Sequence, residues 1–232
     1  INAMLDRLEQ SMDGVRHVSN TIAHNLRTPL TRILLHLRSA ERAGPQAQSE
    51  ALHFAARELA ELGAVFDKLL HIAEVESGTR RQGFVPVALG ALTTDVLELY
   101  EPLAEQRRAE LAFSCSGDPV AAGDPDLLAS AVANLVDNAL KYTATDGRAR
   151  IAVHAARNGD RVEVAVRDNG IGVATEDLPR IGTRFYRTDR SRPGYGLGLA
   201  SVQAIVRMHG GEVRFADANP GLEVQIVLPA AV

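Results

Sequence analysis

The chain has 232 residues and a single cysteine, Cys115. An intrachain disulfide is therefore excluded, which fits a reducing compartment. Cys115 falls in the alternating run AELAFSCS (109 to 116), where a half-buried strand position is its expected role. No run of about 18 apolar residues occurs, so no segment is expected to span a bilayer. No signal-peptide pattern is present at the N-terminus. Neither sign of charge dominates: 25 Lys plus Arg against 29 Asp plus Glu leave a formal charge of −4. That balance gives no footprint for nucleic acid, and the one dense basic run, RTDRSR (187 to 192), reads as a solvated loop. Internal repeats and low-complexity tracts are also missing. What remains is an ordinary apolar share, enough for at least one core, and a length that suits one large or two modest domains. The chain opens on Ile1 in what reads as the middle of a helix, so it is expected to be a fragment of something longer.

Two periods divide the sequence. Val15, Val18, Ile22, Leu26, Leu30, Ile33, Leu37 and Ala40 step by three or four, as on one face of a helix. After AGPQAQ (43 to 48) a second stripe runs through Leu52, Ala55, Leu59, Leu62, Phe66, Leu69 and Ala73, with the alternating steps of a heptad. The short connection predicts an antiparallel helical hairpin. Two helices alone bury too little, so a second copy is expected to complete a four-helix bundle; packing against the rest of the chain is the alternative. SGTRRQGF (77 to 84) reads as a linker. Beyond it come a short strand at VPVAL, a helix over 89–108, strands at 109–115 and 119–122, and a helix over 124–142. RARIAVHAAR and RVEVAVRD alternate with period two around NGD, a hairpin signal. A helix over about 198–208 follows, and GGEVRFAD with GLEVQIVLP closes as another hairpin. The expected class is α+β: the helical hairpin, then an α/β sandwich of one mixed sheet with helices on one face.

His24 is out of place on the first helix. At about 100° per residue it lies about 200° from both Ile22 and Leu26, away from the apolar stripe. Thr28 lies one turn on, on the same face, and Pro29 should bend the helix beside His24. An exposed imidazole near neutral pH keeps a free lone pair and is a competent nucleophile toward a phosphoryl group. The other histidines (His17, His36, His53, His71, His154 and His209) have no comparable surroundings.

Three pieces of the second region suit a nucleotide. Asn134, Asn138 and Lys141 recur at steps of four and three on one helix face, while Val136, Ala139 and Leu140 turn toward a core. A carboxamide oxygen suits Mg²⁺ and an ammonium suits phosphate. DNGIGV (168 to 173) places Asp168 at the end of a strand before a tight turn. GYGLGL (194 to 199) places Gly194, Gly196 and Gly198 before a helix, whose N-terminal N–H groups favour anions.

Together these motifs make the chain resemble the catalytic core of bacterial sensor histidine kinases. HNLRTPL is similar to that family's phosphoacceptor box, NLVDNALKYT to its N box, DNGIGV to its first glycine box, FYRTDRS to its aromatic box and GYGLGL to its second glycine box. The resemblance covers essentially the whole chain, in the family's order. It implies residues 1–13 as the end of a HAMP-like linker helix, 14–78 as the dimerisation and histidine phosphotransfer domain, 79–83 as a linker, and 84–232 as an ATP-binding domain of the GHKL (Bergerat) type. It implies phosphorylation of His24, Mg²⁺ on Asn138 supported by Asn134, and phosphate contacts from Lys141 and Arg187. Asp168 would accept the adenine amino group and Tyr142 would line the pocket. Gly170, Gly172, Gly194, Gly196 and Gly198 would shape the pocket and a lid over 182–197. ATP and Mg²⁺ are the implied cofactors; a homodimer and the receiver domain of a response regulator are the implied partners. The implied location is the cytoplasmic portion of an inner-membrane sensor, attached only through N-terminal segments outside this chain.

Two departures stand out. The family usually has Glu or Asp directly after its histidine, and this chain has Asn25, which cannot act as a base at neutral pH. The lid is also short. Thr28 matches the position the family uses to orient water when dephosphorylating its partner. Asn25 keeps open a weak-kinase, mainly phosphatase or scaffold reading. The nucleotide motifs alone also keep open an ATPase of chaperone or topoisomerase type.

Overall fold

The computed structural model describes residues 26–41, 43–77, 83–143, 148–189, 192 and 194–231. Two compact units are present, Ile1–Leu69 and Leu70–Val232. Helix α1 (described over 26–40) and helix α2 (Pro45–Ser77), which lies in the first unit as far as Leu69, are joined by a short turn. Arg32 pairs with Glu58, and His36 stacks on Phe54 with ring centroids 4.2 Å apart. The partner number rises as the other falls, so the hairpin is antiparallel, as expected. Ile33, Ala40, Ala51, Ala55 and Val65 form its buried seam.

The expected stripe on α2 is only half covered. Ala55 is buried, but Leu52, Leu59 and Phe66 are 63%, 54% and 55% exposed. Their seven-residue spacing puts them along one line of the helix. Two helices can close only the side on which they meet, so this line stays open within one chain. His24 and Asn25 lie outside the described residues, as does the bend expected beside His24. Thr28 is exposed on α1.

In the second unit, strands β1 (Val85–Ala88), β2 (Glu110–Ser116), β3 (Val120–Gly123), β4 (Arg150–Asn158), β5 (Arg161–Asp168), β6 (Glu212–Asp217) and β7 (Leu222–Pro229) alternate with helices α3 (Leu89–Gln106), α4 (Pro125–Tyr142) and α5 (Gly198–Met208). These bounds fall within about two residues of those expected. The main sheet has the order β2-β4-β5-β7-β6; β2 runs parallel to β4 and the remaining pairs are antiparallel. The expectation of one sheet needs correction. β1 and β3 pair only with each other, antiparallel. Each has only four residues before the chain turns into a helix, too few to span the main sheet; a single bridge from Ala121 to Ala230 links this ribbon to the chain beyond β7. Cys115 also departs from its expected half-burial: it is exposed. β2 is the edge strand, and what faces the thiol is Gly90 of α3, which brings no side chain to cover it.

Helix α4 is the spine of the unit. Asp124 caps its N-terminus, its carboxylate accepting from the N–H groups of Asp126 (3.0 Å) and Leu127 (3.1 Å), with Pro125 at the first helical position. Leu127, Ala131, Leu135 and Ala139 form one buried column, and Leu128, Val132, Val136 and Leu140 another. Full burial of each Leu or Val contributes about 1.5–3 kcal/mol. The opposite face carries Asn134, Asp137, Asn138 and Lys141, all half-buried. The two columns therefore hold the polar face at a fixed rotation.

One glycine outside the expected motifs locks the sheet end below that face. Gly221 has φ +104°, and a Cβ there would sit 1.8 Å from the Asp168 carbonyl oxygen. Gly221→Ala is expected to destabilise this unit by about 3 kcal/mol or more, from backbone strain plus overlap with backbone that cannot move aside. The shift of the urea midpoint against the parent chain measures it.

Candidate functional site

The polar face of α4, the turn after β5 and the start of α5 converge. Asn134 donates from Nδ2 to the Ser130 carbonyl at 2.8 Å, which leaves its oxygen facing the N-terminus of α5. A Cβ at Gly198 would meet Asn138 Nδ2 at 3.3 Å and Asn134 Oδ1 at 3.4 Å. The Asn138 Nδ2 is buried and has no hydrogen-bond partner among the described residues. An unsatisfied buried donor costs about 1–3 kcal/mol, so a group awaiting a ligand accounts for it. α5 has no side-chain cap at its N-terminus, which keeps its first N–H groups available to an anion. Lys141 holds Asp137 at 3.2 Å, and its Nζ lies 3.9 Å from the Cβ position of Gly194.

Asp168 ends β5 and is 7% exposed. Its Oδ1 accepts the N–H of Gly170 at 2.8 Å and of Leu222 at 3.4 Å. Burial pushes its carboxyl above the ordinary range, and the two N–H groups oppose that rise. Gly170 must be glycine, because a Cβ would sit 2.4 Å from the Tyr142 carbonyl oxygen. Gly172 has φ +68° and packs on the Gly221 backbone. The DNGIGV turn is thereby pressed against the end of α4, which brings Asp168 and Tyr142 to one place.

The segment before α5 closes as a loop. The Phe185 N–H donates to the Gly196 carbonyl at 2.8 Å, and Gly196 (φ +68°) leaves no space for a Cβ beside the Tyr186 carbonyl. Gly194 has φ +131°. The Arg187 guanidinium donates to the carbonyl oxygens of Asp189 (3.0 Å), Arg192 and Gly194, so it holds the loop's own backbone. Below the loop, the Tyr186 hydroxyl donates to Asp177 at 2.5 Å, and the Arg180 guanidinium lies 4.4 Å from the ring centroid. The bond to Asp177 pushes the Tyr186 phenol above its ordinary value.

Asn134, Asn138, Lys141, Tyr142, Asp168, Gly170, Gly172, Gly194, Gly196 and Gly198 thus come together, while Arg187 is turned into the loop. Three contributors went unnoticed in the sequence. Arg192 donates to the Lys141 carbonyl and lies 5.4 Å from the Tyr142 ring centroid, from within a run that read as a solvated loop. Arg107 donates to the Leu140 carbonyl at 2.6 Å from another helix, which no local pattern signals. Asn169 accepts from the Arg150 N–H and donates to the Arg148 carbonyl, both at 2.8 Å. Its place inside DNGIGV was the available signal.

Comparison with known proteins matches both regions. Residues 15–78 match the family model of the His Kinase A (phospho-acceptor) domain, and residues 123–232 that of the histidine kinase-, DNA gyrase B-, and HSP90-like ATPase. The chain is 34% identical over 235 residues to the sensor protein kinase PmrB of Pseudomonas aeruginosa, across 99% of this chain and 48% of that protein. It spans about half the length of the curated relatives it matches. The structure of full-length ShkA in complex with AMPPNP is 28% identical with a TM-score of 0.67, over 92% of this chain and 45% of ShkA. The structure of histidine kinase ThkA in complex with the response regulator protein TrrA has a TM-score of 0.74 at 20% identity, over 93% of this chain and 61% of that one, a likeness of fold alone.

The buried carboxyl gives a stability prediction whose sign is fixed. Because the folded-state pKa of Asp168 is raised, its protonated form supports the fold; that support is complete below the ordinary carboxylate value and is lost as pH rises through the raised one. At neutral pH the ionised group is a burden on the fold. Asn keeps an acceptor for Gly170 and Leu222 without the charge. Asp168→Asn should therefore melt higher than the parent at neutral pH, and the gap should narrow on acidification. Thermal melts across a pH series check both parts.

Proposed function

The chain belongs to the bacterial two-component sensor histidine kinases, and from that premise we propose that it is the core of an ATP-dependent protein-histidine kinase that phosphorylates itself on His24. A lone pair of the His24 imidazole forms the N–P bond as the bond from the γ-phosphorus to the bridging oxygen breaks; ADP leaves and the imidazole loses its proton. The phosphoryl group then passes to an aspartate on the receiver domain of a response regulator. Catalysis of this kind rests on positioning and charge neutralisation.

The observation that carries this reading is the buried Asn138 Nδ2, which has no partner among the described residues and faces the uncapped N-terminus of α5. The residues present fit a nucleotide and its metal. Asn138, supported by Asn134, would hold Mg²⁺, which neutralises phosphate charge when bound; Lys141 would meet phosphate oxygens, and the N–H groups at Gly198 would meet an anion. Asp168 would accept the adenine amino group beside Tyr142. Gly170 and Gly172 keep that end of the site open, and Gly194 and Gly196 shape the lid. Arg187 would exchange its lid carbonyls for phosphate. Residues 14–78 would form the dimerisation and phosphotransfer domain, 79–83 the linker and 84–232 the ATP-binding domain, with 1–13 ending a HAMP-like linker. Because ATP and receiver domains are cytoplasmic, we place the chain on the cytoplasmic side of a membrane sensor; no described helix is itself long and apolar enough to cross a membrane. An ATPase without a phosphoacceptor is not favoured, since residues 15–78 match a phosphoacceptor family.

Incubation with γ-labelled Mg-ATP tests the reading. The parent chain should take up an acid-labile, base-stable label and pass it to a receiver domain. His24→Ala should bind ATP normally and take up none; persistent label there would move the acceptor elsewhere. Asp168→Asn should bind ATP several-fold more weakly even though it folds. If a carboxylate after the histidine assists proton removal, Asn25→Asp or Asn25→Glu should label faster. General-base assistance is worth about 10²–10⁴-fold at its best. The added negative charge also favours imidazolium, which partly opposes the gain. Initial rates at saturating Mg-ATP that are no higher in either acidic variant would show that Asn25 is not limiting.

The open line of Leu52, Leu59 and Phe66 is the proposed seam for a second copy. Leu59→Glu combined with Phe66→Glu should shift the chain from dimer to monomer in sedimentation while leaving ATP binding unchanged. Burying two unpaired charges in that seam would cost several kcal/mol.

A further inference from the structure

Asp137 and Lys141 meet on the polar face of α4, with Nζ 3.2 Å from a carboxylate oxygen. On an open helix, a pair four residues apart adds little to stability. The place of this pair sets it apart. It shares the face of Asn134 and Asn138, and its ammonium lies 3.9 Å from the Cβ position of Gly194 in the lid. The two buried columns already fix the rotation of α4, so the pair is not what holds the helix in place.

Among the described residues, Lys141 is the one cation paired with Asp137. The guanidinium groups nearby are engaged by other acceptors. Arg107 donates to the Leu140 carbonyl. Arg192 donates to the Lys141 carbonyl and pairs with Asp189 at 3.4 Å. Arg187 holds the carbonyl groups of the lid. Asp137 also lies near the half-buried Tyr100 of α3, whose phenol is pushed above its ordinary value by burial first and by the Asp137 charge second. The carboxylate therefore has a single counterion, and that counterion is the ammonium assigned to phosphate.

We propose that Asp137 competes with nucleotide phosphate for Lys141: a phosphate chain must displace the carboxylate from the ammonium or share the ammonium with it. The inference deepens the reading above and rests on its assignment of Lys141 to phosphate. An ammonium has three donors but one charge. Two anions gathered on it repel each other, and that repulsion lowers the affinity for phosphate. Asp137 thereby sets how tightly the phosphate chain is held, and it gives Lys141 a partner when that chain departs. A nucleoside, which brings no phosphate, is untouched by the competition.

The test is the affinity of the full chain for Mg-ATP, by calorimetry at saturating Mg²⁺, and for adenosine, by NMR titration. Asp137→Asn and Asp137→Ala should tighten Mg-ATP by about threefold or more, the scale of a half-exposed ion pair. Added salt should narrow that gain. Adenosine affinity should not change. Asp137→Glu keeps the charge and can still reach Lys141, so it should bind Mg-ATP as the parent does. Lys141→Met should weaken Mg-ATP by about tenfold. Adding Asp137→Asn to Lys141→Met should then change little, because the ammonium in dispute is gone. The proposal is overturned if neither uncharged variant tightens Mg-ATP, if adenosine tightens equally, if Asp137→Glu tightens as much as Asp137→Asn, or if the gain survives in Lys141→Met. Weaker binding in Asp137→Asn would make the carboxylate an aid that orients Lys141, which also overturns it. If Lys141→Met binds Mg-ATP as the parent does, the assignment of Lys141 to phosphate falls and the proposal falls with it. If Lys141→Met weakens binding while Asp137→Asn leaves it unchanged, the proposal alone falls.

Discussion

The last turn of α4 leaves four carbonyl groups without helical partners, and the way each is satisfied organises the site. The Ala139 carbonyl accepts from Thr143, through its N–H at 3.1 Å and its hydroxyl at 2.8 Å. The Leu140 carbonyl takes Arg107 from the end of α3. The Lys141 carbonyl takes Arg192 from the lid. The Tyr142 carbonyl takes the Ile171 N–H at 3.3 Å, from the glycine turn after β5. Two of these donors are guanidinium groups, which suit the negative end of the helix dipole. One helix terminus therefore gathers α3, the lid and the Asp168 turn around Lys141 and Tyr142. The same requirement would hold in any helix end; here the donors come from the segments proposed to touch the nucleotide.

Two buried columns make that convergence rigid. Without them α4 could rotate about its axis, and a rotation of one residue would carry Asn134 and Asn138 out of register with Gly198. The site is built against stability at its other end, where Asp168 is held in a nearly closed position. Among the described residues its charge is offset by two backbone N–H groups, one of them at 3.4 Å. A carboxamide would serve the fold better, so the carboxylate at this position fits the proposed contact with adenine and not a role in stability.

The pattern of the second unit was legible because its signals are local. Period two marked β4, β5, β6 and β7, and the step of four and three marked both faces of α4. The glycines of GYGLGL announced α5. What escaped was long-range. The split of β1 and β3 into their own ribbon depends on where Val120 finds a partner, which alternation does not encode. Half the α2 stripe stayed open because a heptad specifies a face but not which chain covers it. Arg107 and Arg192 act through backbone carbonyls far away in sequence, and a basic residue in a polar run looks the same whether solvated or capping.

The histidines show how burial decides chemistry for one residue type. A phosphoacceptor needs an imidazole lone pair open to the incoming phosphorus. In His209 that lone pair is committed to the Asp124 N–H, and the other nitrogen faces the Ile205 carbonyl, so the ring has no site left for a new bond. His154 lies on the sheet between Ser114 (2.9 Å) and Ser116 (3.5 Å), with a hydroxyl at each nitrogen. His36 lays its ring on Phe54. Each of these would have to break an existing contact before reacting. The expected acceptor is marked in the sequence by the opposite pattern: it steps off the apolar stripe, no apolar residue stands three or four positions away, and Thr28 follows four residues on. In His154 and His209 the fold has already occupied both ring nitrogens, so selectivity against these two follows from their contacts.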